Sequence, residues 1–454
     1  MKIRRILSVF LLSVLLTALY LTPQALALEA PTLDAKCALL MDETAGRMLY
    51  GHNEKEKAYP ASITKIMTAL LVLEAVDRGE LSLTQNITAS TTAVSSIDED
   101  SSTAGIEAGE VLTVEQLLYC LLVVSANEAA NVLAEAVSGS IGSFVDLMNQ
   151  RAQELGCEGT HFANTNGLHN PQHYTTAWDI YLIAHEAMKH DLFMTICGSK
   201  SYDVPATNKS DARELHSTNA LISNWRVLGY IYDYADGLKT GYTDEAGRCL
   251  VASALKDGRR LVSVVLGCGT KEIGGETKTM SFVDSATLLD WGYNSFTSKT
   301  VFTKEDLIQE VPVALSKETN AVLVHTAEDV ELLLPNDVTP EMLERKVTVY
   351  GGTAYAPIEA GQELGEMTLS YDGVTYATVK LQAADSVSVN RFLQGKYLIG
   401  QFFSKTIVKI LLVVVILLVI LIVVWLKVLR PKNRYGSSRR KRGSFRNYRG
   451  RRRK

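Results

Sequence analysis

Near its N-terminal end the chain reads Pro60-Ala61-Ser62-Ile63-Thr64-Lys65-Ile66-Met67-Thr68-Ala69-Leu70-Leu71-Val72-Leu73, a stretch that predicts a helix in the core of a domain. Pro60 suits the beginning of a helix because its fixed φ is already helical. From Ile66 to Leu73 the sequence is apolar nearly all round, which is typical of a buried helix. Ser62 and Lys65 are three residues apart, so we expect their side chains on one face of that helix.

Ser62 and Lys65 are a candidate nucleophile and its base. A serine hydroxyl needs an adjacent base before it can attack a carbonyl. An ordinary lysine is protonated at neutral pH and cannot accept that proton. Burial and a second cation, for which Lys239 is the candidate, would lower the pKa of Lys65 and free its amine. The competing interpretation, a capping serine beside a surface lysine, does not suit so apolar a helix.

A second motif, Ser125-Ala126-Asn127, lies at a predicted junction between two helices. One helix is expected to begin at Thr113, where Gln116 completes a capping-box pattern, and another at Glu128. Ser125 is the candidate relay that carries a proton to the leaving group, and Asn127 is the candidate ligand of a substrate amide. Glu128 is expected to face solvent, where its charge suits the helix N-terminus.

The third motif, Lys239-Thr240-Gly241, supplies a candidate anchor for a free carboxylate. Lys239 offers a cation and Thr240 a hydroxyl, while Gly241 allows the main chain to approach a ligand closely. An oxyanion formed during acyl transfer needs two backbone N–H donors, for which Ser62 and Tyr242 are the candidates.

The remaining pattern predicts an antiparallel sheet flanked by helices, followed by an all-β domain. Strand-like runs occur at 37–42 and 47–50, and two longer ones are joined by the hairpin signal Asp257-Gly258. From residue 297 short strand-like runs alternate with turn residues. We expect the following organisation: a signal peptide at 1–27, a catalytic domain at 28–296, a β domain at 297–390, a linker at 391–405, a transmembrane helix at 406–426 and a basic tail at 427–454.

Both ends of the chain predict export and anchoring. Three basic residues, an uncharged run from Ile6 to Leu21 and Ala25-Leu26-Ala27 form a secretory signal, for which an uncleaved anchor is the alternative. The segment 406–426 is apolar except for Lys409 and is long enough to span a bilayer. Residues 427–454 hold 14 basic side chains and no acidic one, so they are expected to stay cytoplasmic.

Charge argues against nucleic acid as a partner. The formal net charge of −4 averages two opposite parts, because residues 28–426 carry 29 basic and 50 acidic side chains, a net charge of −21. The tail alone resembles a nucleic-acid arm, but anionic lipid explains its charge more simply. Six cysteines show no metal-binding spacing, and free thiols are favoured over disulfides.

Metal hydrolysis is a competing chemistry that the sequence does not support. His185-Glu186 followed by His190 resembles the zinc motif H-E-x-x-H, but that motif needs histidines four residues apart. Five residues apart, the two rings diverge by about 140° around a helix of ~3.6 residues per turn. No metal and no cofactor is therefore predicted, and His169 and His173 are interpreted as structural.

With these residues in hand, the chain resembles the low-molecular-mass penicillin-binding proteins, specifically the serine-type D-Ala-D-Ala carboxypeptidases. The similarity spans roughly residues 31–390. It is carried by the following segments: Tyr59 to Thr68, Asn166-Gly167-Leu168, His173 to Ala177, Asp236 to Thr243, and Ala356-Pro357-Ile358 with Gly361 and Gly365. Ala126 departs from the glycine often found in the middle of the second motif.

The resemblance implies a transpeptidase/β-lactamase-like α/β catalytic domain and a C-terminal β-sandwich. It implies removal of the terminal D-alanine from peptidoglycan pentapeptide stems, with Ser62 as nucleophile, Lys65 as base and Ser125 as proton relay. Asn127, Lys239, Thr240, Gly241 and Tyr242 would bind the substrate. β-Lactams would acylate Ser62 and leave slowly.

Two other interpretations stay open at this point. One is a β-lactamase, although no Glu-x-x-Leu-Asn string lies between Asn127 and Lys239 to supply the glutamate that drives class A deacylation. The other is an inactive wall-binding protein, which the intact motifs disfavour.

Overall fold

The computed structural model describes residues 29–97 and 101–429 of the 454-residue chain. They form two compact units, one comprising residues 29–301 and 331–343 and the other residues 302–330 and 344–429. The predicted signal peptide and nearly all of the predicted basic tail lie outside the described residues.

The α-helices of the described residues are α1 (Lys65–Asp77), α2 (Thr91–Ser95), α3 (Val114–Leu122), α4 (Asn127–Ser138), α5 (Ile141–Glu154), α6 (Ala177–Ala187), α7 (Asp191–Cys197), α8 (Met280–Ser295), α9 (Arg391–Ser404) and α10 (Thr406–Val424). A 3₁₀ turn, Ala61–Thr64, precedes α1. Helix α3 begins with the predicted capping box, in which Thr113 and Gln116 each accept the other's backbone N–H.

The strands of the first unit are β1 (Cys37–Asp42), β2 (Arg47–His52), β3 (Asn86–Thr88), β4 (Val111–Thr113), β5 (Ser201–Val204), β6 (Arg213–His216), β7 (Ala235–Thr243), β8 (Gly247–Lys256), β9 (Arg259–Cys268), β10 (Thr270–Ile273), β11 (Glu276–Thr279) and most of β12 (Phe296–Phe302). Its main sheet is antiparallel, in the order β2-β1-β9-β8-β7. The predicted hairpin joins β8 to β9, and both Asp257 and Gly258 have positive φ, as a type I′ turn requires.

Both faces of this sheet are buried, which is why its strands are apolar rather than alternating. In β1, Leu39 and Met41 pack in a cluster with the helical layer that contains α1. The intervening Leu40 points into a second cluster with Leu288 and Leu289 of α8. The predicted sheet flanked by helices is therefore confirmed, with α1 at the centre of the larger layer.

The second unit is built on a six-stranded sheet in the order β16-β18-β19-β14-β13-β17. Its strands are β13 (Gln309–Ala314), β14 (Ala321–Thr326), β16 (Glu344–Val349), β17 (Ala354–Tyr355), β18 (Glu363–Tyr371) and β19 (Val374–Ala383), whereas β15 (Val330–Pro335), between β14 and β16 in the chain, lies almost wholly in the first unit. Strand β15 pairs with β12, and residues 331–343 belong to the first unit. The first unit therefore includes a segment that follows β14 in the chain.

The segment 391–405, predicted only as a linker, is largely helical because α9 occupies it. After it, the apolar helix of residues 406–428 contains an 18-residue stretch with a mean hydropathy of 3.7. Its 23 residues would extend about 35 Å at ~1.5 Å per residue. By length and composition this helix can cross a bilayer.

Candidate active site

The fold brings the three sequence motifs to one cleft of about 640 Å³. Ser62 lies in the 3₁₀ turn before α1, Ser125 lies between α3 and α4, and the third motif lies on β7. The predicted site residues that line the cleft are Ser62, Ser125, Asn127, Thr240, Gly241 and Tyr242. Lys65 and Lys239 are fully buried behind this wall.

Lys65 is held by three oxygen atoms. Its Nζ lies 2.9 Å from Ser62 Oγ, 2.6 Å from Asn127 Oδ1 and 2.7 Å from the carbonyl oxygen of Asn166. Burial lowers the pKa of Lys65 well below its usual range, and the nearby Lys239 lowers it further, while Glu128 opposes both. Burial and a second cation, the two causes of a lowered Lys65 pKa that the sequence predicted, are therefore both present in the structure.

The three contacts define what a neutral Lys65 amine can do. Carbonyl oxygens only accept hydrogen bonds, so the amine donates its two hydrogens to Asn127 Oδ1 and to the oxygen of Asn166. Its lone pair is then left for Ser62 Oγ–H at 2.9 Å. This is the geometry of a base beside its nucleophile.

Ser125 presents a hydroxyl that the surrounding protein leaves unbonded. Its Oγ is buried and has no hydrogen-bond partner among the described residues, although the residue lines the cleft. A buried hydroxyl without a partner is unfavourable. The hydroxyl is thus available to a ligand in the cleft.

All three motifs share a backbone feature that the sequence does not predict, a positive φ at a residue other than glycine. A residue other than glycine has positive φ beside or within each of them: Ala61 (47°), Ser125 (68°) and Leu238 (91°). Such conformations cost roughly 1–3 kcal/mol each and persist where the surrounding structure imposes them. The side chains of the site are therefore oriented by a strained backbone.

Lys239 lies on β7, and its buried Nζ donates to the carbonyl oxygen of Thr240 at 2.9 Å. Its pKa is lowered to about 7, chiefly by burial, which Cys197 opposes and Arg226 assists. Thr240 Oγ1 lies 2.6 Å from Thr218 Oγ1. Thr218 and Arg226 also line the cleft, and sequence reasoning missed both because neither belongs to a motif.

We expect protein stability to rise with pH because of Lys239. Its folded pKa of about 7 lies below the unfolded value of about 10.4, so the unfolded chain binds more protons between those values. The free energy of unfolding should increase by up to about 1.4 kcal/mol per pH unit, and the lowered pKa of Lys65 acts in the same direction.

Denaturant unfolding between about pH 7 and about pH 8.5 measures this slope, with Lys239→Met as the comparison. At higher pH, buried thiols such as Cys120, whose pKa is raised to about 12, act in the opposite direction. The variant should show the shallower rise, and an identical slope in both proteins would contradict the assignment.

Gly241 allows β7 to approach the turn that carries Ser62. A Cβ atom at residue 241 would lie 2.9 Å from the carbonyl oxygen of Pro60 and 3.1 Å from the nitrogen of Ser62. The main chain of Tyr242 is thereby brought beside Ser62. The Tyr242 side chain is half exposed, and its hydroxyl donates to Asp244 Oδ1 at 2.7 Å.

His173 fastens the nucleophile turn to a neighbouring loop, which agrees with its predicted structural role. Its Nδ1 accepts from the N–H of Ala163 at 3.0 Å, so Nε2 carries the proton and donates to Thr64 Oγ1 at 2.8 Å. Burial lowers the pKa of His173 to about 3, which keeps the ring neutral. His169, in contrast, lines the cleft and packs edge-on against Tyr59.

Gly167→Ala is expected to reduce the free energy of unfolding by about 3 kcal/mol or more. Gly167 has a φ of +89°, and a Cβ atom there would lie 1.8 Å from the carbonyl oxygen of Ala61. Gly156→Ala is the matched control, because Gly156 has a φ of +83° but nothing within 4 Å of an added Cβ. Its cost should stay near ~1–2 kcal/mol. Equal losses in denaturant unfolding would show that the backbone conformation, and not the clash, dominates.

The structure corrects the prediction for Glu128. It does not face solvent: only 2% of its surface is exposed. Its Oε1 accepts from Thr103 Oγ1 and from the N–H of Ala104, at 2.6 and 2.7 Å. The prediction was wrong because the segment that covers Glu128 is distant in sequence and carries no motif.

The two histidines that superficially resemble a zinc motif each contact a different carboxylate. His185 Nδ1 lies 2.7 Å from Glu43 Oε2, and His190 Nδ1 lies 3.1 Å from Asp77 Oδ2. Within residues 29–97 and 101–429 no group of three metal-ligating side chains comes together. All six cysteines are buried free thiols.

Comparison with known proteins gives one consistent result. The D-alanyl-D-alanine carboxypeptidase profile of peptidase family S11 matches residues 24–270, and the C-terminal domain of penicillin-binding protein 5 matches residues 296–389. D-alanyl-D-alanine carboxypeptidase DacF of Bacillus subtilis is 32% identical over 361 residues, which are 79% of this chain and 87% of the relative. DacA of Haemophilus influenzae is 30% identical over 362 residues, 79% of this chain and 86% of the relative.

Solved structures agree with the sequence relatives. Penicillin binding protein 5 from Haemophilus influenzae superposes with a TM-score of 0.62 at 29% identity, over 79% of this chain and 99% of that one. The predicted α/β catalytic domain with a C-terminal β domain is thereby confirmed. The chain belongs to the D-alanyl-D-alanine carboxypeptidase family of serine peptidases.

Proposed function

We propose that this protein removes the terminal D-alanine from peptidoglycan pentapeptide stems through an acyl-enzyme on Ser62. The observation that carries the proposal is the contact between the buried amine of Lys65 and Ser62 Oγ. A neutral amine with its other hydrogen-bonding capacity engaged can accept the hydroxyl proton. The family membership names the substrate class.

In the acylation step, Ser62 Oγ attacks the carbonyl carbon of the penultimate D-alanine while its proton moves to Lys65 Nζ. The N–H groups of Ser62 and Tyr242 are the candidates to stabilise the oxyanion. The C–N bond then breaks, and the departing D-alanine amine takes the proton that Lys65 received, relayed through Ser125, whose hydroxyl has no partner among the described residues. Lys65 is thereby neutral again. An ester between the stem peptide and Ser62 remains.

Water completes the cycle. We assign Lys65 as the base that deprotonates the water, which attacks the ester and releases the shortened stem with Ser62 restored. A β-lactam follows the same first step when its ring amide opens on Ser62. Its leaving nitrogen stays tethered to the acyl group, which accounts for slow release.

Substrate binding is assigned to the two walls of the cleft. Asn127 Oδ1 is occupied by Lys65, so its amide nitrogen is the group that can donate to a substrate carbonyl. Thr240 offers its hydroxyl to the terminal carboxylate, Arg226 supplies positive charge in the cleft, and a bound carboxylate favours the protonated form of Lys239. Gly241 and Tyr242 contribute the main chain beside Ser62.

We further propose that the catalytic unit lies outside the cytoplasmic membrane. The support is the apolar helix of residues 406–428, together with the signal-like segment 1–27 and the basic residues 427–454. In this arrangement the helix anchors the chain and the basic tail is cytoplasmic. Protease protection of the tail in intact cells tests this topology.

Release of D-alanine from a pentapeptide ending in D-Ala-D-Ala, by the full chain in detergent, tests the activity. Stoichiometric release supports the carboxypeptidase. No release with rapid hydrolysis of penicillin would identify a β-lactamase instead. No release and no penicillin labelling would leave a binding protein.

Ser125→Ala is expected to slow acylation by about 10²- to 10⁴-fold without loss of stability. The hydroxyl has no hydrogen-bond partner among the described residues, so its removal eliminates an unsatisfied buried group. Ser263→Ala is the matched control, because Ser263 Oγ is also buried and unpartnered but lies on β9, away from the cleft. Penicillin acylation measures the loss of rate in both variants, and thermal melting measures any change in their stability. A normal rate for Ser125→Ala would exclude the relay.

A further inference from the structure

Glu128 joins the beginning of α4 to a segment that precedes α3 by several residues. Its Oε1 accepts three hydrogen bonds from that segment: from Thr103 Oγ1 at 2.6 Å, from Ala104 N at 2.7 Å and from Ile106 N at 3.4 Å. Thr103 Oγ1 in turn accepts from the N–H of Gly105 at 2.8 Å. One carboxylate oxygen thus organises the four consecutive residues 103–106.

The same segment is connected to the residue before Glu128. The N–H of Asn127 donates to the carbonyl oxygen of Ser102 at 2.9 Å. Ser101 and Ser102 line the cleft, and so does Asn127. We call the hydrogen bonds between Glu128 and residues 103–106 the Glu128 clamp. The clamp therefore lies directly behind the wall of the cleft that carries Asn127, one of the residues proposed to bind the substrate.

The clamp is also one residue away from the contact that holds the proposed base. Asn127 Oδ1 lies 2.6 Å from Lys65 Nζ, and that distance depends on where the first turn of α4 is fixed. Helix α4 has no side-chain cap at Ala126, so the segment 102–106 takes over the role of fixing the helix start. A small displacement of a reacting group is sufficient to slow an enzyme greatly.

We propose that Glu128 is a positioning residue, whose hydrogen bonds to residues 103–106 hold the serine-lined wall of the cleft and the Asn127 side chain in their working geometry. The inference deepens the proposed function and rests on it. It accounts for a carboxylate retained in the interior even though its Oε2 has no hydrogen-bond partner among the described residues, an arrangement that is unfavourable for stability alone.

The chain contains a matched control for this arrangement. Asp179, near the start of α6, is equally buried, and its Oδ2 accepts from the N–H of Gly159 at 2.8 Å and from Thr160 Oγ1 at 2.7 Å. It too joins a helix start to a distant turn through a threonine hydroxyl and a backbone N–H. None of these three residues lines the cleft.

The test compares the full chain in detergent with Glu128→Ala, Glu128→Gln and Asp179→Ala, using a fluorescent penicillin as the acylating probe. Thermal melting identifies a temperature at which all four proteins are folded. We expect Glu128→Ala to lower the second-order acylation rate constant at least tenfold. Glu128→Gln, which keeps the accepting oxygen, should stay within threefold of the wild type, and Asp179→Ala should stay within twofold.

Three results would overturn the inference: a wild-type rate for Glu128→Ala, an equal loss for Asp179→Ala, or a Glu128→Gln rate as low as that of the alanine variant. The last result would assign the effect to charge rather than to hydrogen bonding. If Glu128→Ala does not fold, Thr103→Val removes the shortest of the three bonds and should slow acylation at least threefold, and a wild-type rate would again overturn it. Absence of labelling in the wild type would instead reject the proposed function itself.

Discussion

Replacement of Ser62 by alanine is expected to abolish penicillin labelling and to lower D-alanine release by at least about 10⁴-fold. Ser62 is the proposed attachment point of the acyl group, because its hydroxyl is the one that the Lys65 amine contacts. Mass spectrometry of the protein after exposure to penicillin measures the adduct directly. Release of D-alanine from the pentapeptide measures turnover.

The Ser62→Ala protein should remain folded. The side chain is only partly buried, and its loss leaves Lys65 Nζ two of its three partners. We expect its melting temperature to stay close to that of the wild type. A penicillin adduct on the alanine variant would show that another residue is the nucleophile and would reject the assignment.

Replacement of Lys65 by methionine is expected to slow acylation by about 10³- to 10⁴-fold. Methionine approximates the length of the side chain and fits the apolar surroundings of α1, but it cannot accept the proton of Ser62. In the wild type, acylation should rise with pH along a limb set by Lys65, because only the neutral amine is active. That limb should lie well below the usual range for a lysine, since burial and Lys239 lower the pKa of Lys65.

Thr68→Val is the matched control for Lys65→Met. Thr68 lies one turn further along α1, and its buried hydroxyl donates to the carbonyl oxygen of Thr165 at 2.6 Å, next to the Asn166 carbonyl that Lys65 contacts. The control therefore disturbs the same helix–loop contact without removing the proposed base. We expect it to lose stability but to keep most of its acylation rate and an unchanged pH profile. A comparable kinetic loss in both variants would indicate a structural role for Lys65.

Local sequence signals predicted the elements that position the site. The apolar run after Lys65, the capping box of Thr113 and Gln116, and the Asp257-Gly258 turn each depend on residues close together in sequence, and each appears in the structure. The nearly all-round apolar character of α1 predicted its burial and therefore the buried amine. The grouping of three motifs in one cleft was anticipated from their residue types.

What the sequence did not reveal depends on contacts between distant segments. The burial of Glu128 follows from residues 103–106, and the engagement of Thr218 with Thr240 joins residues 22 apart. The carbonyl of Asn166 contributes a main-chain atom, which leaves no trace in residue type. The positive φ of Ser125 is likewise imposed by tertiary structure, because serine has no intrinsic preference for that conformation.

The position of β7 at the end of the main sheet has a consequence for molecular recognition. Within the described residues this strand pairs on one side only, with β8, and its Thr240-Gly241-Tyr242 stretch lines the cleft. A peptide that enters the cleft can therefore bind as a sixth strand, through main-chain hydrogen bonds that read chain direction and chirality more than side-chain identity. Such an edge would otherwise invite pairing with other chains, and its enclosure within a cleft reserves it for ligands that are narrow enough to enter.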